Sequence, residues 1–275
     1  MRLEHVNCPC CGDGATTAWA AEAGYSLVRC NTCRLLYVNP RPSMEDISAA
    51  NKLGEHRTEE GTLVVRAHRD EKLVANFRQL IAELFPELSV PVRWLDVGAG
   101  YGELVQAAQT ILPAGSTVLG IEPMSAKTRH AQAAGINVVD VPLEEIRDQY
   151  DVVSLINVFS HIPDFHEFGA GLRRVLRPGG TLLLQTGNAA DLEARDDYPD
   201  ELYLPDHLVF AGETQMHRIL GDLGFRIERA SYQRLDSLAF VVRSAVKHLL
   251  RGKLLLQMPG RSPFRIVTYR ATLID

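Results

Sequence analysis

The stretch that most constrains the fold is residues 92–108, VRWLDVGAGYGELVQAA, where an apolar strand runs into a glycine-rich turn and then a helix. Gly98, Gly100 and Gly102 let the backbone turn sharply and let a ligand approach the main chain closely. Their spacing is G-x-G-x-G with Asp96 just before it, whereas the dinucleotide fingerprint is G-x-G-x-x-G. A pyrophosphate is bound at the positive end of a helix, but a carboxylate suits a cationic ligand. The spacing therefore disfavours a dinucleotide.

Short apolar runs alternate with helical patterns from residue 92 onward, which is typical of a mostly parallel sheet covered by helices on both faces. Glycine and proline punctuate these runs and mark where strands and helices end. We predict an α/β, Rossmann-like fold with a seven-stranded, mostly parallel sheet. The predicted strands are VRWLDV, STVLGIEP, INVVD, YDVVSLIN, GGTLLLQTGN, FRIERASY and PFRIVTYRATLI.

Glu122 ends the second predicted strand, about twenty residues after the glycines. A carboxylate at this point of a nucleotide-binding sheet can accept hydrogen bonds from the hydroxyls of a ribose. The alternative is a surface carboxylate without a ligand, and the glycine loop upstream of Glu122 makes that alternative less favoured.

All five cysteines lie within the first 33 residues. Cys8 and Cys11 form one Cys-x-x-Cys pair, and Cys30 and Cys33 form a second. Two such pairs predict a closed tetrahedral site for a structural zinc ion, with no open position for catalysis. Cys10 is interpreted as a bystander thiol, although it could replace a neighbour as ligand. An apo cysteine cluster and a redox pair are the alternatives to zinc.

Composition limits the class of protein. The chain has 275 residues with a net charge of −5, so it offers no basic surface for nucleic acid or an anionic membrane. No apolar run is long enough to span a membrane, and the first residues do not have the layout of a secretory signal. We expect a cytoplasmic protein with a small-molecule partner, no nucleic-acid partner and no membrane span. The sequence leaves the oligomeric state open.

The chain divides into three predicted parts. Residues 1–40 form the zinc ribbon, residues 41–90 form a helical connector or cap, and residues 91–275 form the domain with the sheet. Two insertions, at about 188–212 and 235–262, are expected to face the substrate. The second contains a predicted amphipathic helix that could form a dimer surface, a wall of the acceptor site or a membrane-facing face, with packing against the sheet as the default.

The motifs LDVGAGYG, GIEP, YDVVSLINVFSHIPD and LRPGGTLLLQT resemble, in this order, those of class I S-adenosylmethionine-dependent methyltransferases. The resemblance covers about residues 90–230 and implies S-adenosylmethionine as the methyl donor. Some members of this class, several of them in sugar and natural-product biosynthesis, also carry an N-terminal zinc ribbon that is followed by residues like NPRPS.

The resemblance also implies which residues contact the donor. Asp96 and the three glycines would hold its methionine part, and Glu122 its ribose. Near the adenine the candidates are Asp140 and Leu143, where Asp140 could equally be a strand-end acid that faces water. Asn157 would line the sulfonium end.

Two histidines are candidate general bases. Relatives often have an acid before the histidine of the fourth strand, but here Ser160 precedes His161, which argues against a metal-dependent mechanism. His207 follows Asp206, and an acid next to a histidine can orient the ring. A packed structural histidine is the alternative in each case. Tyr198 and Tyr203 are candidate walls of the acceptor pocket.

Three functions are compatible with these patterns. The favoured one is methyl transfer to a small molecule, with a slight preference for an oxygen acceptor because two histidines are available to remove its proton. A hydroxyl of a sugar nucleotide or natural-product intermediate is the expected acceptor. The second function is an RNA or protein methyltransferase that uses the ribbon for recognition. The third is a donor-binding protein without catalysis, or a nicotinamide oxidoreductase.

Overall fold

The computed structural model describes residues 2–59, 61–64, 68–198, 200–234, 242, 245–246, 249–250 and 263–274. The predicted insertion at 235–262, with its amphipathic helix, therefore lies almost entirely outside the described residues. Within the described residues, no helix is both long and apolar enough to cross a membrane.

The N-terminal part consists of short strands followed by a helix, a hairpin and a second helix. Gly54, at a φ of +70°, ends the first helix and lets the chain turn into the hairpin, where the sequence predicted only helix. Thr58 and Thr62 favour the extended conformation that the hairpin needs. The elements are β1 (Leu3–Glu4), β2 (Thr16–Glu22), β3 (Tyr25–Cys30), β4 (Leu36–Val38), β5 (Arg41–Pro42), α1 (Met44–Leu53), β6 (Glu55–Thr58), β7 (Gly61–Val64) and α2 (Glu71–Leu84).

The second part alternates strands and helices, as the sequence predicts. Its strands are β8 (Arg93–Val97), β9 (Thr117–Ile121), β10 (Val138–Val139), β11 (Tyr150–Ile156), β12 (Leu176–Gly187), β13 (Val209–Phe210), β14 (Phe225–Arg234) and β15 (Arg265–Leu273). Its helices are α3 (Glu103–Ile111), α4 (Ser125–Ala133), α5 (Phe165–Val175) and α6 (Glu213–Asp222).

Seven of these strands form the central sheet in the order β10-β9-β8-β11-β12-β15-β14. The pairs from β10 to β12 are parallel, and β15 is antiparallel to both of its neighbours. The predicted seven-stranded, mostly parallel sheet is confirmed. The carboxyl ends of β8, β9 and β11 meet at one edge, where such folds bind ligands.

The ribbon is joined to the second part of the chain by a shared sheet. Strands β2, β3 and β4 pair in sequence, and β13 adds to the outer side of β4. Tyr37 of β4 is 1% exposed and belongs to the same core cluster as strands β11 and β12. The ribbon is therefore packed against the segment that follows β12.

Candidate functional site

A cavity of about 890 Å³ opens at the carboxyl ends of the parallel strands. It is lined by residues at the ends of β8, β9 and β11 and by several residues of the segment between Tyr198 and Phe210. Asn51, Gly54 and His56, from α1 and the hairpin, also line it. Residues of the segment 41–90 therefore contribute to the wall of the cavity.

Two glycines of the glycine loop, Gly98 and Gly100, line the cavity, and the space available for a side chain differs between them. A Cβ at Gly98 would lie 2.4 Å from Cγ2 of Val158, and the residue has a φ of +71°, so no larger side chain fits there without displacing Val158. A Cβ at Gly100 would meet nothing within 4 Å, because that position faces open space. The backbone at Gly100 is thus accessible to a ligand.

Glu122 lies beside this loop and is 5% exposed. One carboxylate oxygen accepts the N–H of Gly100 at 2.8 Å, and the other accepts the N–H of Met124 at 3.0 Å. A carboxylate can accept about four hydrogen bonds, so each oxygen retains capacity for one more donor. The cavity-lining position of Glu122 is compatible with two ligand hydroxyls.

Asp96 lies beneath the loop and does not line the cavity. It is 3% exposed, and its carboxyl group accepts a hydrogen bond from Oγ of Ser154 at 2.6 Å. Ser154 in turn accepts one from Nε1 of Trp94 at 2.8 Å. Burial raises the pKa of Asp96 to about 7, against the opposing effect of the Ser154 hydrogen bond. Asp96 is therefore part of a buried polar network under the glycine loop.

The remaining residues that were predicted to contact the methyl donor fall into two groups, those that line the cavity and those that do not. Leu143 and Asn157 line the cavity, and Asn157 does so from a left-handed backbone conformation with a φ of +57°. Gly102 instead begins α3, where a Cβ would lie 2.7 Å from Ile136. Asp140 is exposed, accepts a hydrogen bond from Ser125 and does not line the cavity. The donor contacts implied for these residues stay predictions.

His161 and Asp206 form a hydrogen-bonded pair in the wall of the cavity. Nδ1 of His161 lies 2.8 Å from the carbonyl oxygen of Asp206 and 3.1 Å from its carboxylate oxygen Oδ1. Burial alone would lower the pKa of His161, but the hydrogen bonds and negative charge of Asp206 outweigh burial and raise it. The pKa of Asp206 is held well below its usual range by His161 and His56, although burial opposes this.

The sequence predicted that Asp206 could orient its neighbour His207, but its carboxylate bonds to His56 and His161 instead. Nε2 of His56 lies 3.0 Å from Oδ1 of Asp206. His56 comes from the hairpin, and no sequence motif marks it, because its role depends on how the hairpin folds over the cavity.

His207 contacts the pair through its ring, which lies 4.9 Å from that of His161. Burial, with a further contribution from the positive charge of His161, lowers the pKa of His207 to about 4. The buried Nδ1 of His207 has no hydrogen-bond partner within the part of the chain that the structure describes. His207 is therefore neutral near pH 7 and is the weaker base of the two.

The contact with Asp206 fixes which nitrogen of His161 can react. A carbonyl oxygen only accepts hydrogen bonds, so this contact places a proton on Nδ1. Nε2 is left with the free lone pair and is the nitrogen that can accept a proton. Candidate ligand atoms of His161, Asp206 and His207 also lie within 4.8 Å of one another. The geometry is thus compatible with a general base, and the tautomer alone does not separate that role from ligation through Nε2.

Aromatic side chains form the wall near the histidines. Tyr198 packs edge-on against Phe264 and Phe210, with ring centroids 4.8 and 6.0 Å apart, and Tyr203 also lines the cavity. Tyr198 and Tyr203 thus line the cavity, and their contact with an acceptor stays a prediction. Among the described residues that line the cavity, Lys127 is the one lysine or arginine, against five acidic residues: Glu122, Glu144, Asp200, Glu201 and Asp206.

The cysteine pairs converge as predicted. Sγ of Cys8 lies 3.4 Å from that of Cys33, and Sγ of Cys11 lies 3.5 Å from that of Cys30. All four sulfur atoms lie within 4.8 Å of one another. Sulfur atoms about 3.8 Å apart surround a tetrahedral zinc with bonds of about 2.3 Å, so this set fits a zinc ion. Cys10 is 8% exposed and is not part of the four-cysteine group.

Comparison with known proteins gives consistent results. A family model described as a methyltransferase domain matches residues 66–230. A ubiquinone biosynthesis O-methyltransferase of Pseudomonas fluorescens (strain Pf0-1) is 32% identical over 104 residues, which are 34% of this chain and 44% of that protein. The chain thus spans less than half the length of this curated relative.

Two solved structures share the fold. YcgJ of Bacillus subtilis matches with a TM-score of 0.53 at 14% identity, covering 73% of this chain and 99% of YcgJ. The cyclopropane synthase MmaA2 of Mycobacterium tuberculosis matches with a TM-score of 0.50 at 16% identity, covering 70% of this chain and 83% of MmaA2. At these identities the likeness concerns the fold alone.

Proposed function

The chain belongs to the methyltransferase-domain family, and from that premise we propose that it transfers a methyl group from S-adenosylmethionine to a hydroxyl group of a small molecule. One observation carries the proposal. The same cavity is lined by Gly100 and Glu122 and by His161 with its partner Asp206. A donor loop and a candidate base therefore face a common space.

The residues present fit the donor. The open position at Gly100 gives a ligand access to the backbone, and Glu122 keeps hydrogen-bonding capacity for a ribose. Leu143 and Asn157 line the same cavity. The acidic lining also favours a donor that carries a positively charged sulfonium. We assign Asp96 a supporting role, because its carboxyl group lies under the loop and not at the cavity surface.

His161 is the proposed general base. When bound, the donor would supply a methyl group already activated by its sulfonium. His161 would accept the hydroxyl proton of the acceptor on Nε2, as the acceptor oxygen bonds to the methyl carbon and the carbon–sulfur bond breaks. Asp206 would stabilise the resulting imidazolium through Nδ1. Within the described part of the chain, His56, His207 and Lys127 are further titratable groups near this pair.

The lining of the cavity favours an uncharged aromatic acceptor over the sugar nucleotide that the sequence suggested. A sugar nucleotide brings a diphosphate, which the carboxylates of Glu122, Glu144, Asp200 and Glu201 in the described lining would repel. The aromatic wall formed by Tyr198, Phe210 and Phe264 offers stacking surface for a ring. The relative named as a ubiquinone biosynthesis O-methyltransferase supports an oxygen acceptor.

We further propose a structural zinc ion in the ribbon, held by Cys8, Cys11, Cys30 and Cys33. The sulfur positions support it, and four cysteine ligands leave no position for substrate. Metal analysis of the purified protein should find about one zinc per chain, and substitution of Cys30 by Ser should lower that ratio.

The proposal is tested by calorimetric titration with S-adenosylmethionine, S-adenosylhomocysteine and NADH, followed by a screen of phenols and sugar nucleotides as acceptors. We expect both sulfur nucleotides to bind, NADH not to bind, and a phenol to be methylated. Binding of NADH alone would contradict the donor assignment. Salt-dependent retention of RNA, with methylation of RNA, would favour the nucleic-acid alternative.

A further inference from the structure

The carboxylate of Glu22 holds a turn of the acceptor segment. Glu22 is the last residue of β2, in the ribbon. Its carboxylate oxygens accept the N–H groups of three consecutive residues, Leu202 at 2.9 Å, Tyr203 at 2.6 Å and Leu204 at 3.4 Å. Successive N–H groups that point to one anion form a concave anion site, so a single carboxylate fixes the path of this turn.

The turn needs such a partner. Tyr203 adopts a φ of +57°, a left-handed conformation that is strained for a residue with a side chain and persists only where its surroundings impose it. Leu202 and Leu204, on either side of it, are completely buried against Leu27 and Val38 of the ribbon. Apolar packing and the Glu22 carboxylate therefore act on the same three residues.

The turn leads directly to the candidate base. The N–H of His207 donates to the carbonyl oxygen of Tyr203 at 3.1 Å, and Asp206 lies two residues after Leu204. Asp206 then contacts His161 with both its carbonyl oxygen and its carboxylate. A displacement of the turn would move Asp206, and the hydrogen bonds to Nδ1 of His161 would lengthen.

We propose that Glu22 is a positioning residue for the site. By holding residues 202–204 it fixes the position of Asp206, and through Asp206 it controls the orientation and basicity of His161. The proposal rests on the proposed function in so far as His161 is the base. It gives the ribbon a role in the reaction that does not require any contact between the ribbon's cysteines and substrate.

The test measures the imidazole pKa of His161 by NMR in the full chain, with the signal assigned by comparison with His161→Gln. Asp206→Asn sets the reference, because loss of the carboxylate should lower the pKa of His161 by about one unit. We expect Glu22→Ala to lower it in the same direction, and Glu22→Gln to lower it less. A merely structural role for Glu22 would not change this pKa in a protein that remains folded.

Glu193→Ala is the matched control. Its exposed carboxylate also pairs with the ribbon, at 3.0 Å from Arg34, and we expect the pKa of His161 to stay at the wild-type value. A wild-type pKa in Glu22→Ala, or in Glu22→Gln where the alanine variant does not fold, would overturn the proposal. If Asp206→Asn and Glu22→Ala both lower the pKa but methyl transfer is unchanged, the positioning role stands and the proposed base is wrong.

Discussion

Replacing Glu122 with alanine should weaken binding of the methyl donor. The loss of affinity should exceed what a loss of fold stability alone would cause. Its two carboxylate oxygens each accept one backbone N–H and have capacity for one ribose hydroxyl. Hydrogen bonds to a charged group contribute about 1.5–3 kcal/mol each, and part of the loss is recovered by water in the space left behind. We expect a net loss of about 1–3 kcal/mol, which is about 5- to 150-fold in the dissociation constant.

The assay is calorimetric titration of the variant with S-adenosylhomocysteine, together with its thermal unfolding. Because Glu122 also bonds Gly100 and Met124, we expect a lower melting temperature, but the variant should remain folded at the titration temperature. Glu145→Ala is the control, since that carboxylate is exposed and does not line the cavity. Wild-type affinity in Glu122→Ala, or an equal loss in Glu145→Ala, would refute the ribose assignment.

The remaining predictions concern the loop, the ribbon and the base. Gly98→Ala should lower stability by about 1–3 kcal/mol, because its Cβ would lie 2.4 Å from Val158 at a positive φ; denaturant unfolding checks this. Removal of zinc with a chelator should increase amide exchange in residues 25–38 and 209–210, which share a sheet, while calorimetry still detects donor binding. Asp206 raises the pKa of His161, so methyl transfer should increase as pH rises through that pKa. Asp206→Asn should shift this increase to lower pH and reduce the maximal rate; an unchanged pH–rate profile would exclude His161 as the base.

The fold was predictable because its signals are local. The parallel strands β8, β9 and β11 are mostly apolar runs, and the turn after β8 is marked by glycines that the loop geometry requires at Gly98 and at Gly102. Alternation of strands and helices then implies a parallel sheet without knowledge of any long-range contact. The cysteine pairs were equally informative, since a tetrahedral thiolate site needs that spacing.

The arrangement of residues around His161 was less predictable because it depends on contacts between distant segments of the chain. His56 reaches Asp206 only because Gly54 turns the chain into a hairpin, where the helical pattern of the connector gave no such indication. Asp206 bonds to His161, 45 positions away, and not to its neighbour His207. Glu22 and residues 202–204 are about 180 positions apart, and nothing in either segment alone indicates that they meet.

The most direct test of the account is mass spectrometry of a phenolic acceptor after incubation with methyl-labelled S-adenosylmethionine, comparing the wild-type protein with His161→Gln. We predict that the wild-type protein transfers the label to the acceptor hydroxyl, and that His161→Gln binds the donor normally but transfers it at least about 100-fold more slowly. Equal transfer by the two proteins would contradict the role of His161. Donor binding without transfer to any phenol or sugar nucleotide would contradict the proposed reaction.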